Sequence, residues 1–401
     1  MIATLEGERI LLPGIASAHS HAFQRALRAR TQRARGSFWS WRGLMYELAA
    51  RMTPEDVYDL SRFAFVELAS AGVTAVGEFH YVHHQPGGAP YDDRNELASA
   101  VTRAALDAGL RITLLRVLYQ RAGLGRAIEG AQRRFVDPSL DRALADVDAL
   151  AARWAGEPRV QIGLAPHSVR AVSREWIAEA ARFTEERAMP MHMHVSEQRR
   201  EVRECLAEHG RRPVALLDEL GALGPRFTAV HATHLAQHEI ALLARAPSFV
   251  CLCRTTERDL GDGLPVTSQL VRHGVRLSLG ADSHAISDPF EEARAVELDE
   301  RTRTETRGAS AEASALLAAS TSEGYASIAQ IDPGDRVVLD ATSPELAGAD
   351  EAQLDEAVVF AASPRSVREV WVAGERIVER GTHVRYAEAR AGFEAALERL
   401  L

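Results

Sequence analysis

Lysine is absent from this chain of 401 residues, so its 47 basic side chains are all arginine. That absence excludes Schiff-base catalysis, pyridoxal phosphate attachment and the P-loop lysine, and with them any two-metal centre bridged by a carboxylated lysine. Cysteine is scarce. Cys205, Cys251 and Cys253 are an odd number in a long chain, read as reduced, buried thiols of a cytoplasmic protein rather than a disulfide framework. Cys251-x-Cys253 lacks the two-residue spacer of a zinc ribbon or redox motif, so core packing is its reading. No apolar run reaches the length of a bilayer span, and the N-terminus lacks the layout of a signal peptide. Neither a membrane nor export is expected. A net charge of −9 argues against a general nucleic-acid binder.

What is present is ordinary in bulk, with 46% hydrophobic and 26% charged residues, enough for one large domain and a small one. One stretch without acidic residues carries Arg25, Arg28, Arg30, Arg33, Arg35 and Arg42. A solvated loop accounts for most of these. The sharper alternative is a mouth that draws in a small anionic molecule, and Arg42, inside Ser37-Phe38-Trp39-Ser40-Trp41-Arg42, is reserved for ligand contact.

Apolar strand-like runs alternate with amphipathic helical stretches from residue 13 to 330. The strand candidates are 14–22, 73–80, 111–119, 160–168, 190–197, 227–234, 248–254 and 275–283. Helical patterns lie between them, as at 54–71, 95–108, 174–188, 213–220 and 264–273. Thr53-Pro54-Glu55 supplies a cap and a first-turn proline, and Gly72, Gly109 and Gly274 stand where helices stop. Repeated β-then-α units predict a parallel sheet closed into a (β/α)8 TIM barrel over 13–330. A doubly wound open sheet is the alternative, but no Gly-x-Gly-x-x-Gly turn follows an early strand. Residues 1–12 with 331–401 are expected to form a small β-sandwich-like satellite domain. Its strands are sought at 335–340, 356–362 and 367–379, the last broken at Ala373-Gly374, before a helical tail at 386–401.

The chemistry gathers at strand ends. His19-Ser20-His21 closes the first candidate, and alternation in a strand turns both imidazoles the same way, able to grip one ion. A lone His-x-His also arises by chance in loops. Its weight comes from His194 in Met191-His192-Met193-His194-Val195-Ser196-Glu197, from His231 in Ala229-Val230-His231, and from Asp282 in Leu279-Gly280-Ala281-Asp282. His19, His21, His194 and Asp282 make three nitrogen ligands and one carboxylate, a set that suits a single zinc with an open position for water. Zinc would bring the pKa of that water toward neutrality. Glu197 is placed to shuttle protons to a leaving group, and His231 to polarise the electrophile or stabilise the tetrahedral intermediate. Each residue alone is more often structural; four matched strand ends reverse that expectation. His192 reads as a polar filler and His234 and His238 as peripheral, while His80, His83 and His84 crowd the end of the second strand, where a second metal or a loop would fit and the loop is preferred. His284 is expected to orient the Asp282 carboxylate.

These motifs resemble the amidohydrolase superfamily in its mononuclear zinc deaminase branch. The chain is similar, over residues 11 to 380, to the N-formimino-L-glutamate deiminases (formimidoylglutamate deiminases). The narrower likeness rests on His19-Ser20-His21-Ala22-Phe23-Gln24-Arg25-Ala26, Gly36-Ser37-Phe38-Trp39-Ser40-Trp41-Arg42, Glu78-Phe79-His80-Tyr81, and the run from Gly163 through Pro166-His167-Ser168-Val169-Arg170 to Val172. It extends to Thr255-Thr256-Glu257 with Leu260-Gly261-Asp262-Gly263. The resemblance implies water attack on a formimino carbon, with ammonia and N-formyl-L-glutamate as products in histidine degradation. It implies zinc, one per chain, on His19, His21, His194 and Asp282, with Glu197, His231 and Asp282 catalytic. Gln24, Arg42, Tyr81, His167 and Arg170 would line the substrate pocket, the arginines gripping carboxylates in a two-pronged manner. A homodimer is the expected assembly.

Two departures stand out. Relatives carry a longer N-terminal β segment, so either the satellite is pared down or the chain start is misassigned. Arg254 stands where a smaller, uncharged residue is expected, and would alter one pocket wall. Two other readings remain open: a zinc aminohydrolase of an aminated heterocycle (purine, pyrimidine or triazine), and a non-catalytic anion-binding barrel.

Overall fold

The computed structural model describes residues 1–32, 38–123, 125–331 and 334–401. Arg33, Arg35, Gly36 and Ser37, singled out above, lie outside the described residues. Near the N-terminus come β1 (Thr4–Glu6) and β2 (Arg9–Pro13), then eight barrel strands: β3 (Ile15–Ser20), β4 (Val73–His80), β5 (Arg111–Leu118), β6 (Val160–Pro166), β7 (Met191–Val195), β8 (Phe227–His231), β9 (Phe249–Leu252) and β10 (Arg276–Leu279). All eight form one sheet in sequence order, and every pairing is parallel. The predicted barrel is therefore the observed fold. Every residue of β4 and β5 is buried, as expected of strands covered by side chains inside and helices outside.

The barrel closes where its first and last strands meet. A parallel bridge joins Ser20 to Asp282, the His21 N–H donates to the Asp282 carbonyl at 2.9 Å, and the Asp282 N–H donates to the His19 carbonyl at 3.0 Å. Gly280 permits this approach, because a Cβ there would sit 2.8 Å from the His19 carbonyl oxygen.

The helices follow their local signals. Helix Pro54–Ser70 begins with Thr53, whose hydroxyl accepts the Asp56 N–H while the Asp56 carboxylate accepts the Thr53 N–H at 2.9 Å. Its apolar face carries Val57, Leu60, Ala64 and Leu68, and Phe63 stacks on Phe393 of the closing helix Tyr386–Leu400 at 4.5 Å.

Outside the barrel, β1, β2, β11 (Arg336–Asp340), β12 (Val367–Val372), β13 (Glu375–Glu379) and β14 (Thr382–His383) make a six-stranded antiparallel sheet in that order. The stretch 356–362, read from sequence as strand, is instead within and just beyond the helix Leu354–Phe360. Leu354, Asp355, Val358 and Val359 are buried together, a spacing of four that only a helix turns to one side. Asp355 accepts the backbone N–H groups of Ile2 and Ala3 at 2.9–3.1 Å, which ties the N-terminus down. At the barrel floor, the Asp335 carboxylate accepts two N–H bonds from Arg111 of β5, at 2.7 and 3.1 Å, and further bonds from the Tyr325 hydroxyl and the Ala373 N–H, both at 2.9 Å.

Candidate metal centre and active site

Four electron-rich atoms converge where β3, β7 and β10 end. His19 Nε2 lies 3.3 Å from His194 Nε2, and Asp282 Oδ1 lies 3.5 Å from the Nε2 atoms of both His19 and His21. His21 Nδ1 donates to the Phe79 carbonyl at 2.9 Å, and His194 Nδ1 donates to the His167 carbonyl at 3.1 Å. A carbonyl only accepts, so each of these rings carries its hydrogen on Nδ1 and aims a bare Nε2 inward. Burial lowers His21 to about 3, and burial followed by the neighbouring histidines holds His19 and His194 well below the usual imidazole value. Neutral rings are ligands. Of the three converging imidazole nitrogens only that of His19 has room for a proton, which leaves lone pairs crowded against the Asp282 carboxyl, whose pKa burial raises. Ligand atoms about 2.0–2.2 Å from one tetrahedral ion are themselves about 3.4 Å apart, matching these spacings. The residues fit a divalent cation.

Beside this cluster, His231 stacks on His194 with ring centres 5.5 Å apart and planes 11° from parallel. Its Nδ1 donates to Glu257 Oε1 at 3.2 Å, and its Nε2 is 3.9 Å from Asp282 Oδ2. Burial alone would lower its pKa, but the Glu257 hydrogen bond and the fields of Glu197 and Asp282 outweigh burial and raise it well above normal. Burial pushes Glu197 upward, with His231 opposing. Backbone conformation is unusual here as well. Ser196 (φ 52°), His231 (φ 69°), Asp282 (φ 47°) and His284 (φ 56°) are all left-handed, a costly arrangement for residues with side chains and one that clusters at functional sites.

A cavity of about 540 Å³, counting its mouth, opens over these groups, lined by His21, His194, Glu197, His231 and Asp282 together with Gln24, Arg42, Tyr81, His167 and Arg170. The structure thus brings to one cavity the residues read from sequence as ligands, catalytic groups and substrate contacts, with His19 against His21 and His194. Gln24 Nε2 donates to the Tyr81 hydroxyl at 2.8 Å, and Gln24 Oε1 is buried without a partner. Arg170 is buried with Nη1 unpartnered, and Arg42 sits with its guanidinium carbon 4.5 Å from the Trp39 ring centre. Among the described residues, neither arginine forms an ion pair.

Sequence reasoning missed much of the wall. Phe38, Trp41, Met45, Tyr46, Tyr119, Phe135 and Leu260 also line the cavity. Tyr119 ended a strand candidate and the Trp39–Trp41 segment was quoted, whereas Tyr46 and Phe135 carried no signal. Glu257, quoted only as part of a motif, proves to be the anchor of His231. Two expectations are corrected. Arg254 is no part of the pocket wall; its guanidinium is buried behind the site between Glu257 and Asp299. The His284 ring bonds the Ser20 hydroxyl at 2.8 Å rather than the Asp282 carboxylate, because its left-handed backbone turns it under β3. His192 bonds the Ser327 carbonyl at 2.8 Å and takes no part in the cluster, and all three cysteines are buried free thiols.

A parallel barrel with a histidine–aspartate cluster at its carboxyl end is the architecture of metal-dependent hydrolases, and the chain belongs to the amidohydrolase family, whose profile matches residues 10–377. It is 38% identical to formimidoylglutamate deiminase of Pseudomonas aeruginosa, over 98% of this chain and 89% of that protein, which places it among that enzyme's kin. It is 30% identical to 8-oxoguanine deaminase of the same organism, over 70% of this chain and 61% of that one. An amidohydrolase of Brucella melitensis has the same fold, with a TM-score of 0.90 at 30% identity over 99% of this chain and 95% of the other. The described residues include no helix long and apolar enough to cross a membrane.

Proposed function

We propose that the chain hydrolyses N-formimino-L-glutamate to N-formyl-L-glutamate and ammonia, with one zinc ion per chain, as a step in histidine degradation. The observation that carries this reading is Arg170, a buried guanidinium with a free Nη1 lining the same cavity as His194 and Glu197. An unpaired buried cation calls for an anionic ligand. Arg42 offers a second cation to the same cavity, and the proposed substrate has two carboxylates. The name of the Pseudomonas relative points the same way.

A divalent cation held by His19, His21, His194 and Asp282 would acidify a water and supply a nucleophile at neutral pH. The chain's own groups do the rest. Glu197 takes a proton from the attacking water and passes it to the departing nitrogen, a task suited to a carboxyl whose pKa burial has raised. His231, anchored through Nδ1, turns Nε2 toward the charge that develops on the reacting carbon's substituent, and Asp282 shares the second proton. The water oxygen bonds the formimino carbon, the bond from that carbon to the terminal nitrogen breaks, and that nitrogen leaves as ammonia. Gln24, Tyr81 and His167 orient the substrate.

A second reading, deamination of an aminated heterocycle, is favoured by the aromatic wall of Phe38, Trp41, Tyr119 and Phe135 and by the likeness to 8-oxoguanine deaminase. It leaves two unpaired arginines without a role. Ammonia release measured across formimino amino acids and nucleobases separates the two: turnover of bases alone overturns the first reading, and no turnover by a metal-loaded sample supports a non-catalytic barrel.

A further inference from the structure

Behind His231 lies a string of charged groups that the proposed reaction leaves unused. Arg254 opens the helix Arg254–Leu260 directly after β9, and its side chain is 1% exposed. Its Nε and Nη2 donate to Asp299 Oδ2 at 3.0 and 2.6 Å, and its Nη1 donates to Glu257 Oε2. The other oxygen of Glu257, Oε1, accepts the Cys253 N–H at 3.0 Å and His231 Nδ1 at 3.2 Å. Asp299 in turn takes Arg258 at 2.6 Å, and Arg258 reaches Glu291 at 2.7 Å near the surface. Alternating charges therefore run from the outer helix Pro289–Thr304 to the edge of the cavity.

From this geometry we propose that Arg254 is a positioning residue, holding Glu257 in the one orientation that anchors the His231 ring by Nδ1 and turns Nε2 to the cavity. Both Glu257 oxygens are taken, and the planar guanidinium fixes the carboxylate from the side opposite His231. Remove Arg254 and Oε2 is left bare at a buried site, so the carboxylate must rotate or take a proton, and either change loosens the ring. Arg254 is absent from the cavity lining, so it touches no substrate itself and is placed to act through Glu257 and His231. The proposal rests on the deiminase reading only for what His231 then does; the anchoring of the ring stands apart from it.

The test uses metal-stripped, 15N-histidine-labelled protein and two-bond proton–nitrogen correlations of the imidazoles, with His231 assigned by its loss in His231→Asn. Wild type is expected to give one His231 pattern with a hydrogen-bonded proton on Nδ1. Arg254→Met is expected to give a mixture of ring states, and Arg254→Lys to return most of the wild-type pattern. On the metal-loaded enzyme, Arg254→Met should lower kcat by about 10–100-fold with KM changed by no more than about two-fold. A folded Arg254→Met protein that keeps the wild-type His231 pattern overturns the proposal. Should that variant fail to fold, Asp299→Asn loosens the same guanidinium from its other side. A smaller shift of the same kind is then expected, and an unchanged pattern is again fatal. If wild type does not turn over N-formimino-L-glutamate at all, only the deiminase reading falls, because the ring spectrum is read without substrate.

Discussion

The two ends of the barrel handle buried charge in opposite ways. At the floor, Arg111 and Asp335 meet in a two-pronged pair, and the carboxylate also collects a tyrosine hydroxyl and a backbone N–H. At the mouth, Arg170 Nη1, Gln24 Oε1, His19 Nδ1, Glu201 Oε2 and Asp262 Oδ2 are all buried without partners. Burial without satisfaction costs stability, so a fold retains it where something else completes the set. The Arg111–Asp335 pair is complete as it stands, whereas Arg170 and Gln24, which line the cavity, keep polar atoms that a bound molecule would complete.

The sharpest way to break this contrast is Glu197→Gln. Turnover should fall by about 100- to 10,000-fold while bound metal stays at the wild-type ratio, since a proton carrier is lost but no ligand. Metal analysis beside steady-state rates checks it, and equal loss of both would show Glu197 to be a ligand. Arg111→Met should do the reverse, removing about 3–5 kcal/mol of folding stability by stranding Asp335, with activity per folded molecule unchanged. Chemical denaturation gives the first figure and active-site titration the second. Arg170→Met should raise KM by roughly one to three orders of magnitude with kcat little altered, as expected for a lost charge-assisted contact. Returning zinc to stripped protein at about 100 times its Kd should add about 2.7 kcal/mol of stability, and His194→Asn should abolish most of that gain.

The smallest effect is a pH dependence. Burial raises Glu201 to about 7, above its unfolded value. An acid raised on folding favours the folded state while protonated, so its contribution is complete below the unfolded pKa and is lost as pH rises through about 7. Glu201→Gln should therefore gain stability over wild type as pH climbs through that window. Parallel thermal melts across the range test this, and a constant difference between the two proteins would refute it.

Sequence pattern exposed the barrel because its strands are apolar runs set between helices, a periodicity visible without coordinates. The mouth was legible for the same reason: His19, His21, His194, His231 and Asp282 each end such a run. The helix Leu354–Phe360 was hidden by its Val358-Val359 pair, whose β-branched side chains mimic a strand while its buried face obeys a four-residue spacing. Arg254 misled because its partner Asp299 is 45 residues away, and a lone arginine reads as a surface or pocket group until that partner is seen. Tyr46 and Phe135 reach the cavity from a helix and from beside a 3-10 turn, where no periodicity marks them.

The seam between β3 and β10 is sewn by the backbone of the candidate ligand residues themselves: the His21 N–H donates to the Asp282 carbonyl and the Asp282 N–H to the His19 carbonyl. Six barrel strands, β4 to β9, separate the two histidines from the aspartate along the chain. A divalent cation held across this seam would fasten the first barrel strand to the eighth, so that loading the site and shutting the cylinder would be a single event.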